Sequence, residues 1–138
     1  DQEIANSHER IRLVSMKVVA GTRGPQRATM KLDIEGQMAL AEEDGNGPVD
    51  AVFNCIKTLV PHDAKLELYQ VHAVTAGTDA QAEVSVRLSQ DGRSVTARGS
   101  DPDTLVASAK AYLSALNKIV MKKQRDSAGD KQMAAAGH

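Results

Sequence analysis

Histidine has the widest range of chemistry of the side chains in this sequence, because imidazole can bind a metal or act as a general base. The four histidines are His8, His62, His72 and His138. Their spacing never places two imidazoles on one face of an element, and Cys55 is the only cysteine, so the sequence holds no complete set of metal ligands. His72 has no nucleophile beside it, which favours a packing role. The histidines therefore predict neither a metal site nor a catalytic base.

Serine and aspartate offer other routes to catalysis, through nucleophilic attack or paired carboxylates. The sequence has no Gly-x-Ser-x-Gly motif, and Ser108 and Ser114 fall within a predicted helix, where a hydroxyl commonly bonds the preceding turn. Asp101 and Asp103 flank Pro102 just before that helix, where aspartate usually caps the free amides of the first turn. We therefore predict that these two aspartates are caps.

The segment Gly45-Asn46-Gly47-Pro48 is more informative about binding. Proline suits the first turn of a helix, and glycine lets a backbone or a small ligand approach closely. The free amides and the positive end of a helix also favour an anion such as a carboxylate. Taken alone, however, the same residues favour a simple tight turn.

Hydrophobic periodicity predicts the elements that position these residues. Residues 10–21 mix β-branched and polar side chains in near alternation and predict a strand. Residues 27–35 alternate strictly and predict a second strand, which turns into a short third strand at residues 38–42. From Pro48 to the residue before Pro61, apolar side chains recur at three- and four-residue steps, which predicts a helix.

The second half of the sequence repeats this order, with Gly36 matched by Gly92, 56 residues later. The strands predicted there are residues 66–75, 82–89 and 94–98. A second amphipathic helix follows Pro102 and ends in a lysine-rich segment, whose charge suits the negative end of a helix. A repeated order of this kind predicts one fold unit used twice.

The predicted fold is therefore α+β, with two βββα units related by a pseudo-twofold axis and helices packed on antiparallel sheets. We predict one domain at residues 10–123, with its two units at about residues 10–61 and 64–123. Residues 1–9 read as a linker, and the polar, Ala/Gly-rich residues 124–138 predict a disordered tail.

The composition limits the classes of function. A chain of 138 residues is one domain by length, and its three aromatic residues, Phe53, Tyr69 and Tyr112, require a largely aliphatic core. A net charge of −1 lacks the electrostatic footprint of a general nucleic-acid or membrane-surface binder. The lone Cys55 favours a reducing, cytoplasmic compartment. We therefore expect a cytoplasmic domain without nucleic-acid or membrane partners.

Three segments carry a resemblance to a known family. They are GNGPVDAVFNCI at residues 45–56, LELYQVHAVTAGTDAQAEVSV at residues 66–86 and ASAKAYLSALN at residues 107–117. In this order they resemble the C-terminal regulatory domain of the 2-isopropylmalate synthase family. The resemblance covers nearly all of residues 10–122.

The resemblance implies a function. In that family a TIM-barrel domain condenses acetyl-CoA with 2-oxoisovalerate with the help of a divalent metal, and this sequence shows neither barrel strands nor a metal-binding H-x-H. The C-terminal domain is a doubled βββα fold that binds the end product and pairs with its copy. The resemblance thus implies a non-catalytic, cofactor-free domain that binds L-leucine and inhibits leucine biosynthesis by feedback. It also implies a homodimer, in which this domain acts on the catalytic domain of the same protein.

Free leucine needs a carboxylate site, acceptors for its ammonium group and a dry apolar pocket. The leucine-binding residues that the motifs and the resemblance together imply are Gly45, Asn46, Gly47, Pro48, Asp50, Ala51, Leu66, Tyr69, Ala73, Asp79, Ala80, Ser100, Asp101 and Pro102. Helix entrances near Gly47 and Asp103 would supply amide donors, and Asp50 or backbone carbonyls would receive the ammonium. The small residues Ala73 and Ala80 would leave room for the side chain of leucine.

Three alternatives stay open from the sequence. The same fold could serve citramalate synthase and bind isoleucine, which differs from leucine by the position of one methyl group. It could be a dimerisation module without a ligand, which would show no stabilisation by ligand. The βββα order also occurs in double-stranded RNA-binding domains, although the sequence has no concentrated basic surface.

Overall fold

The computed structural model describes residues 10–72 and 80–136, with side chains described as far as Val120. It contains two antiparallel three-stranded sheets, each followed by a helix. The elements are β1 Ile11–Val19, β2 Gln26–Ile34, β3 Gln37–Gly45, α1 Pro48–Leu59, β4 Lys65–His72, β5 Ala82–Gln90, β6 Arg93–Asp101 and α2 Thr104–Ala136. The predicted α+β fold of two βββα units is confirmed.

Both hairpins turn through the same two-residue loop. Glu35 and Gly36 have φ angles of 53° and 88°, and Asp91 and Gly92 have φ angles of 54° and 78°. Positive φ at both central residues is the type I′ turn, whose twist matches that of the flanking strands. Because the two turns are 56 residues apart, the second and third strands of each unit follow the predicted repeat closely.

The first strand of each unit contains a β-bulge. The register of β1 on β2 shifts between Leu13 and Ser15, and the register of β4 on β5 shifts between Leu66 and Leu68. Leu13 pairs with Leu32, and Leu66 pairs with Leu88, so the bulges occupy equivalent places in the two sheets. A bulge adds one residue to one strand and changes which side chains share a face.

Each sheet has an inner face covered by the helices and an outer face turned away from them. Inner-face strand residues and one stripe of each helix form a single buried cluster. Its members include Ala28, Met30, Leu32, Val52, Ile56, Val84, Val86, Leu88, Leu113 and Leu116. Helix α2 packs on β5 and β6 and also contacts β1, so both units contribute to one core.

Gly99 explains how closely α2 approaches its sheet. A Cβ atom at this position would collide with the backbone of Ala107 and Ala111. Glycine therefore lets the helix backbone lie directly against strand β6. The local sequence does not predict this contact, because a glycine within a strand looks the same whether a helix or solvent faces it.

Asn117 of α2 ties the second unit to the first strand of the chain. Its Oδ1 accepts hydrogen bonds from the backbone N–H of Arg10 at 3.0 Å and of Ile11 at 2.9 Å. Its Nδ2 donates to the carbonyl oxygen of Ile11 at 2.9 Å. The side chain is buried. One amide thus satisfies three backbone groups at the free edge of β1, in the other unit.

Two boundaries differ from the sequence-based expectation. Helix α2 continues to Ala136, through residues 124–136, where we expected a disordered tail. Alanine, lysine, glutamine, arginine and methionine are all good helix formers, and no proline interrupts this stretch. Strand β4 is described to His72, and the predicted continuation to residue 75 lies outside the described residues.

Candidate ligand-binding site

Tyr69 lies on β4 between the two helices. Its hydroxyl is 2.8 Å from Ser108 Oγ, and the Ser108 hydroxyl donates to the carbonyl oxygen of Thr104 at 2.8 Å. Tyr69 is therefore the donor to Ser108, because the only proton of the serine hydroxyl is already used. The Tyr69 ring also meets Phe53 of α1 edge to face, with centroids 5.6 Å apart. These contacts hold one half-buried ring against both helices.

The inner face of β4 is less covered than the equivalent face of β1. The bulge brings Leu66, Tyr69 and Val71 onto one face, and Leu66 and Val71 are 43% and 45% exposed. The equivalent residues of β1 pack against the core, and both helices contact that strand. They are Leu13, Met16 and Val18. The result is an apolar strip beside Tyr69 that the described residues leave open.

The entrance of α1 carries the Gly45-Asn46-Gly47-Pro48 segment. Gly45 packs against the helix itself, because a Cβ atom there would overlap the backbone of Asp50 and Ala51. Gly47 is the N-cap and makes no side-chain capping bond. It therefore offers no side-chain acceptor to the backbone amides of the first helical turn. Asp50 Oδ2 accepts a hydrogen bond from the backbone N–H of Asn46 at 2.9 Å. This helix entrance therefore has proline in its first turn and no capping side chain.

The entrance of α2 is capped by its own aspartates. Asp103 Oδ1 accepts from the backbone N–H of Leu105 at 2.8 Å. Asp101 Oδ1 accepts from the N–H of Asp103, and its Oδ2 forms an ion pair with Lys110, each at 2.9 Å. The Asp103 amide, followed by the Lys110 ammonium, lowers the pKa of Asp101. The predicted capping role of Asp103 is confirmed, whereas Asp101 binds the amide of Asp103, just before the helix. These bonds occupy donors that we expected this entrance to offer a ligand.

The predicted site residues fall into three groups in the structure. The α1 entrance holds Gly45, Asn46, Gly47, Pro48 and Asp50; β4 holds Leu66 and Tyr69; and the end of β6 with the entrance of α2 holds Ser100, Asp101 and Pro102. Ala80 is exposed just before β5, and Ala51 is completely buried in the core, with no surface open to a ligand. The predicted residues Ala73 and Asp79 lie outside the described residues.

The contacts of Tyr69 link β4 to both helices through two residues outside the predicted site. Phe53 links Tyr69 to α1, and Ser108 links it to α2. The bond from Ser108 to the preceding turn was predicted. The bond from Tyr69 was not, because nothing in a local pattern joins residues 39 positions apart.

The histidines of the described region have structural partners. His62 Nδ1 is 2.7 Å from the carbonyl oxygen of Val60, and its Nε2 is 2.8 Å from the Tyr112 hydroxyl. A neutral His62 therefore donates through Nδ1 and accepts from Tyr112. His72 Nε2 lies 2.7 Å from Ser85 Oγ. Among the described residues, no group of three His, Cys, Asp or Glu side chains could hold a metal ion.

The burial of Tyr112 predicts a specific dependence of stability on pH. Burial raises its pKa from 10.0 to about 12. Because the folded pKa is the higher one, this contribution to stability is complete below pH 10 and is lost as the pH rises towards 12. We expect the free energy of unfolding in denaturant to fall by about 2 to 3 kcal/mol over this interval from this group.

The Tyr112→Phe variant should remove this part of the pH dependence, because phenylalanine has no proton to lose. Tyr69→Phe is the matched control and should keep the pH dependence, since Tyr112 is retained. Equal slopes of unfolding free energy against pH in the wild type and in Tyr112→Phe would contradict the prediction.

Comparisons with a family model and with known proteins point to the same family. The model of the LeuA allosteric (dimerisation) domain matches residues 1–120. The chain is 80% identical over 128 residues to a 2-isopropylmalate synthase of Rhodopseudomonas palustris (strain BisA53), covering 93% of the chain and 25% of the relative. It is 79% identical over 126 residues to a 2-isopropylmalate synthase of Bradyrhizobium diazoefficiens, covering 91% and 24%.

A third relative extends the match almost to the whole chain. It is a 2-isopropylmalate synthase of Bradyrhizobium sp. (strain BTAi1), 74% identical over 136 residues, covering 99% of the chain and 26% of the relative. The chain thus spans about a quarter of the length of these relatives. None of the helices in the described region is long and apolar enough to cross a membrane. The repeated βββα fold and the family match agree, and the chain belongs to the LeuA allosteric (dimerisation) domain family.

Proposed function

We propose that this chain is a feedback-regulatory domain that binds L-leucine and thereby inhibits a 2-isopropylmalate synthase in the cytoplasm. The observation that carries the proposal is the position of Tyr69. It stands on a partly open apolar strip and touches the N-terminal halves of both helices. A small amphipathic ligand needs such a combination of apolar wall and nearby helix amides.

The carboxylate of leucine fits the entrance of α1 better than that of α2. The N-cap Gly47 makes no side-chain capping bond, whereas the Asp103 carboxylate already accepts from the Leu105 amide in the first turn of α2. The helix dipole favours a negative group at this end. The exposed Asp50 carboxylate uses Oδ2 for the Asn46 amide, which leaves Oδ1 as an acceptor for the ammonium group.

The apolar side chain of leucine fits the inner face of β4. Leu66 and Val71 are both more than two-fifths exposed there, beside the fixed ring of Tyr69. Ala73, Asp79 and Ala80, which follow this strand in the sequence, remain part of the proposed site.

The rest of the proposal concerns the whole protein. The relatives are named 2-isopropylmalate synthase and are about four times as long as this chain. We propose that a catalytic domain elsewhere in the protein condenses acetyl-CoA with 2-oxoisovalerate using a divalent metal, and that the protein is a homodimer. Leucine would inhibit it by binding the active and inactive states with different affinities, as thermodynamic linkage requires.

Isothermal titration calorimetry on this chain with leucine, isoleucine and valine tests the proposal. We expect heat with leucine and an affinity for isoleucine that is about 5 to 150 times lower, the scale that one displaced methyl group can supply. Tighter binding of isoleucine would favour the citramalate synthase alternative. No heat with any of the three, with the fold intact by circular dichroism, would leave a dimerisation module without a ligand and contradict leucine sensing.

A further inference from the structure

The two outer sheet faces occupy equivalent places in the repeat, and they differ in chemistry. On β3, Met38 and Leu40 pair with Asp33 and Lys31 of β2. The neighbours of Asp33 and Lys31 along β2 point into the core, so Met38 and Leu40 lie on the outer face. They are 57% and 69% exposed. We call the outer side of β1, β2 and β3 the first outer face.

The second unit supplies an internal control for this observation. Positions 56 residues after Met38 and Leu40 are Ser94 and Thr96, which lie on the outer face of β6 and are exposed. The same sheet position is therefore apolar in one unit and polar in the other. Because the second unit folds with serine and threonine there, folding of a βββα unit does not require apolar side chains at these places. Large exposed apolar residues that folding does not require indicate an interaction surface.

The charged residues of the first outer face are mostly paired within it. Arg12 binds Asp33 at 2.6 Å, and Arg27 binds Asp44 at 2.7 Å and Glu42 at 3.3 Å. The Arg12 guanidinium, followed by the Gly36 amide, lowers the pKa of Asp33, and a hydrogen bond from Arg27 lowers the pKa of Asp44. With these charges neutralised in place, a second copy of the same face could approach without strong repulsion.

We propose that the first outer face is where two copies of this chain meet. This assignment rests on the homodimer of the proposed function and adds the surface that forms it. A second copy is the occupant that the family description favours, since the matching family is a dimerisation domain. A twofold dimer buries the same patch on both copies, so Met38 and Leu40 would each be used twice. Neutralised charges around apolar side chains are typical of such a surface.

The experiment is sedimentation equilibrium of the chain over a wide range of concentration, without leucine. The test variant is Met38→Lys with Leu40→Lys, and the matched control is Ser94→Lys with Thr96→Lys, which adds the same charges at the equivalent places of the second sheet. We expect the wild type and the control to be dimers with similar dissociation constants. The test variant should raise the dissociation constant by at least about 100-fold, because four lysines enter the interface.

A milder variant separates a weakened interface from a misfolded chain. Met38→Ser with Leu40→Thr copies the residues of the second unit and should weaken the dimer by about tenfold while keeping the circular dichroism spectrum of the wild type. Val71→Lys introduces a charge on the other exposed apolar strip and should leave the dimer unchanged. Dimers that resist both first-face variants, or that dissociate only with the control or with Val71→Lys, would overturn the assignment alone. A monomeric wild type would overturn both the assignment and the proposed homodimer.

Discussion

Replacing Asn117 with leucine is expected to lower the free energy of unfolding by about 3 to 5 kcal/mol. The leucine keeps the number and branching of the side-chain heavy atoms but removes the acceptor for the Arg10 and Ile11 amides and the donor to the Ile11 carbonyl. Three backbone groups then lose their partner at a site where Asn117 is buried. A loss of this size is a large part of the stability of a small domain.

Denaturant unfolding followed by circular dichroism measures this effect. Ser114→Ala is a suitable control, because Ser114 lies on the same helix three residues earlier and is only partly buried. It should change the free energy of unfolding by less than about 0.5 kcal/mol. If Asn117→Leu were no more destabilising than Ser114→Ala, the cross-unit hydrogen bonds would not hold β1 in the way the structure indicates.

Replacing Tyr69 with alanine is expected to weaken leucine binding by about 100-fold or more. The substitution removes the ring that stands between Leu66 and Val71 on the proposed apolar wall, and it removes the contacts to Phe53 and Ser108. Truncation of a large anchor at the centre of a site costs on this scale. Calorimetry with leucine measures it, and Tyr112→Phe is the control that should bind leucine as the wild type does.

The hydrogen bond of Tyr69 can be separated from its ring. Tyr69→Phe and Ser108→Ala remove the same bond from its two ends, so their effects on leucine affinity should be equal, about threefold to tenfold. The double variant should be no weaker than either single one, because the bond is lost only once. Additive losses would mean that the two residues act on the ligand independently. Unchanged leucine affinity in Tyr69→Ala would remove this ring from the site.

The parts of the fold that depend on a local pattern of residues could be predicted from the sequence. Strict alternation in β2 and β5, the Gly36 and Gly92 turns, and the apolar stripe after Pro48 each follow from neighbouring residues, and all appear in the structure. The bulges in β1 and β4 could not be predicted in this way. They move Tyr69 onto the face of Leu66, although a regular strand would place residues three apart on opposite faces.

The site was harder to predict from the sequence than the fold, because its contacts join distant parts of the chain. The aspartates before α2 were predicted as caps from their position alone, since capping is a local rule. Gly45 and Gly47 look equivalent in the sequence, yet Gly45 is held against the backbone of Ala51 while Gly47 has open space around it. Only the path of the helix relative to the strand distinguishes them.

The clustering of the aromatic residues has a practical consequence for spectroscopy. The chain has no tryptophan, and Phe53 contacts both tyrosines, with ring centroids 4.7 Å from Tyr112 and 5.6 Å from Tyr69. All near-ultraviolet dichroism of this chain therefore originates from one place, where α1, α2 and β4 meet. Because an asymmetric cluster of this kind produces a signal only while its rings are fixed, the unlabelled protein carries its own optical reporter of that junction.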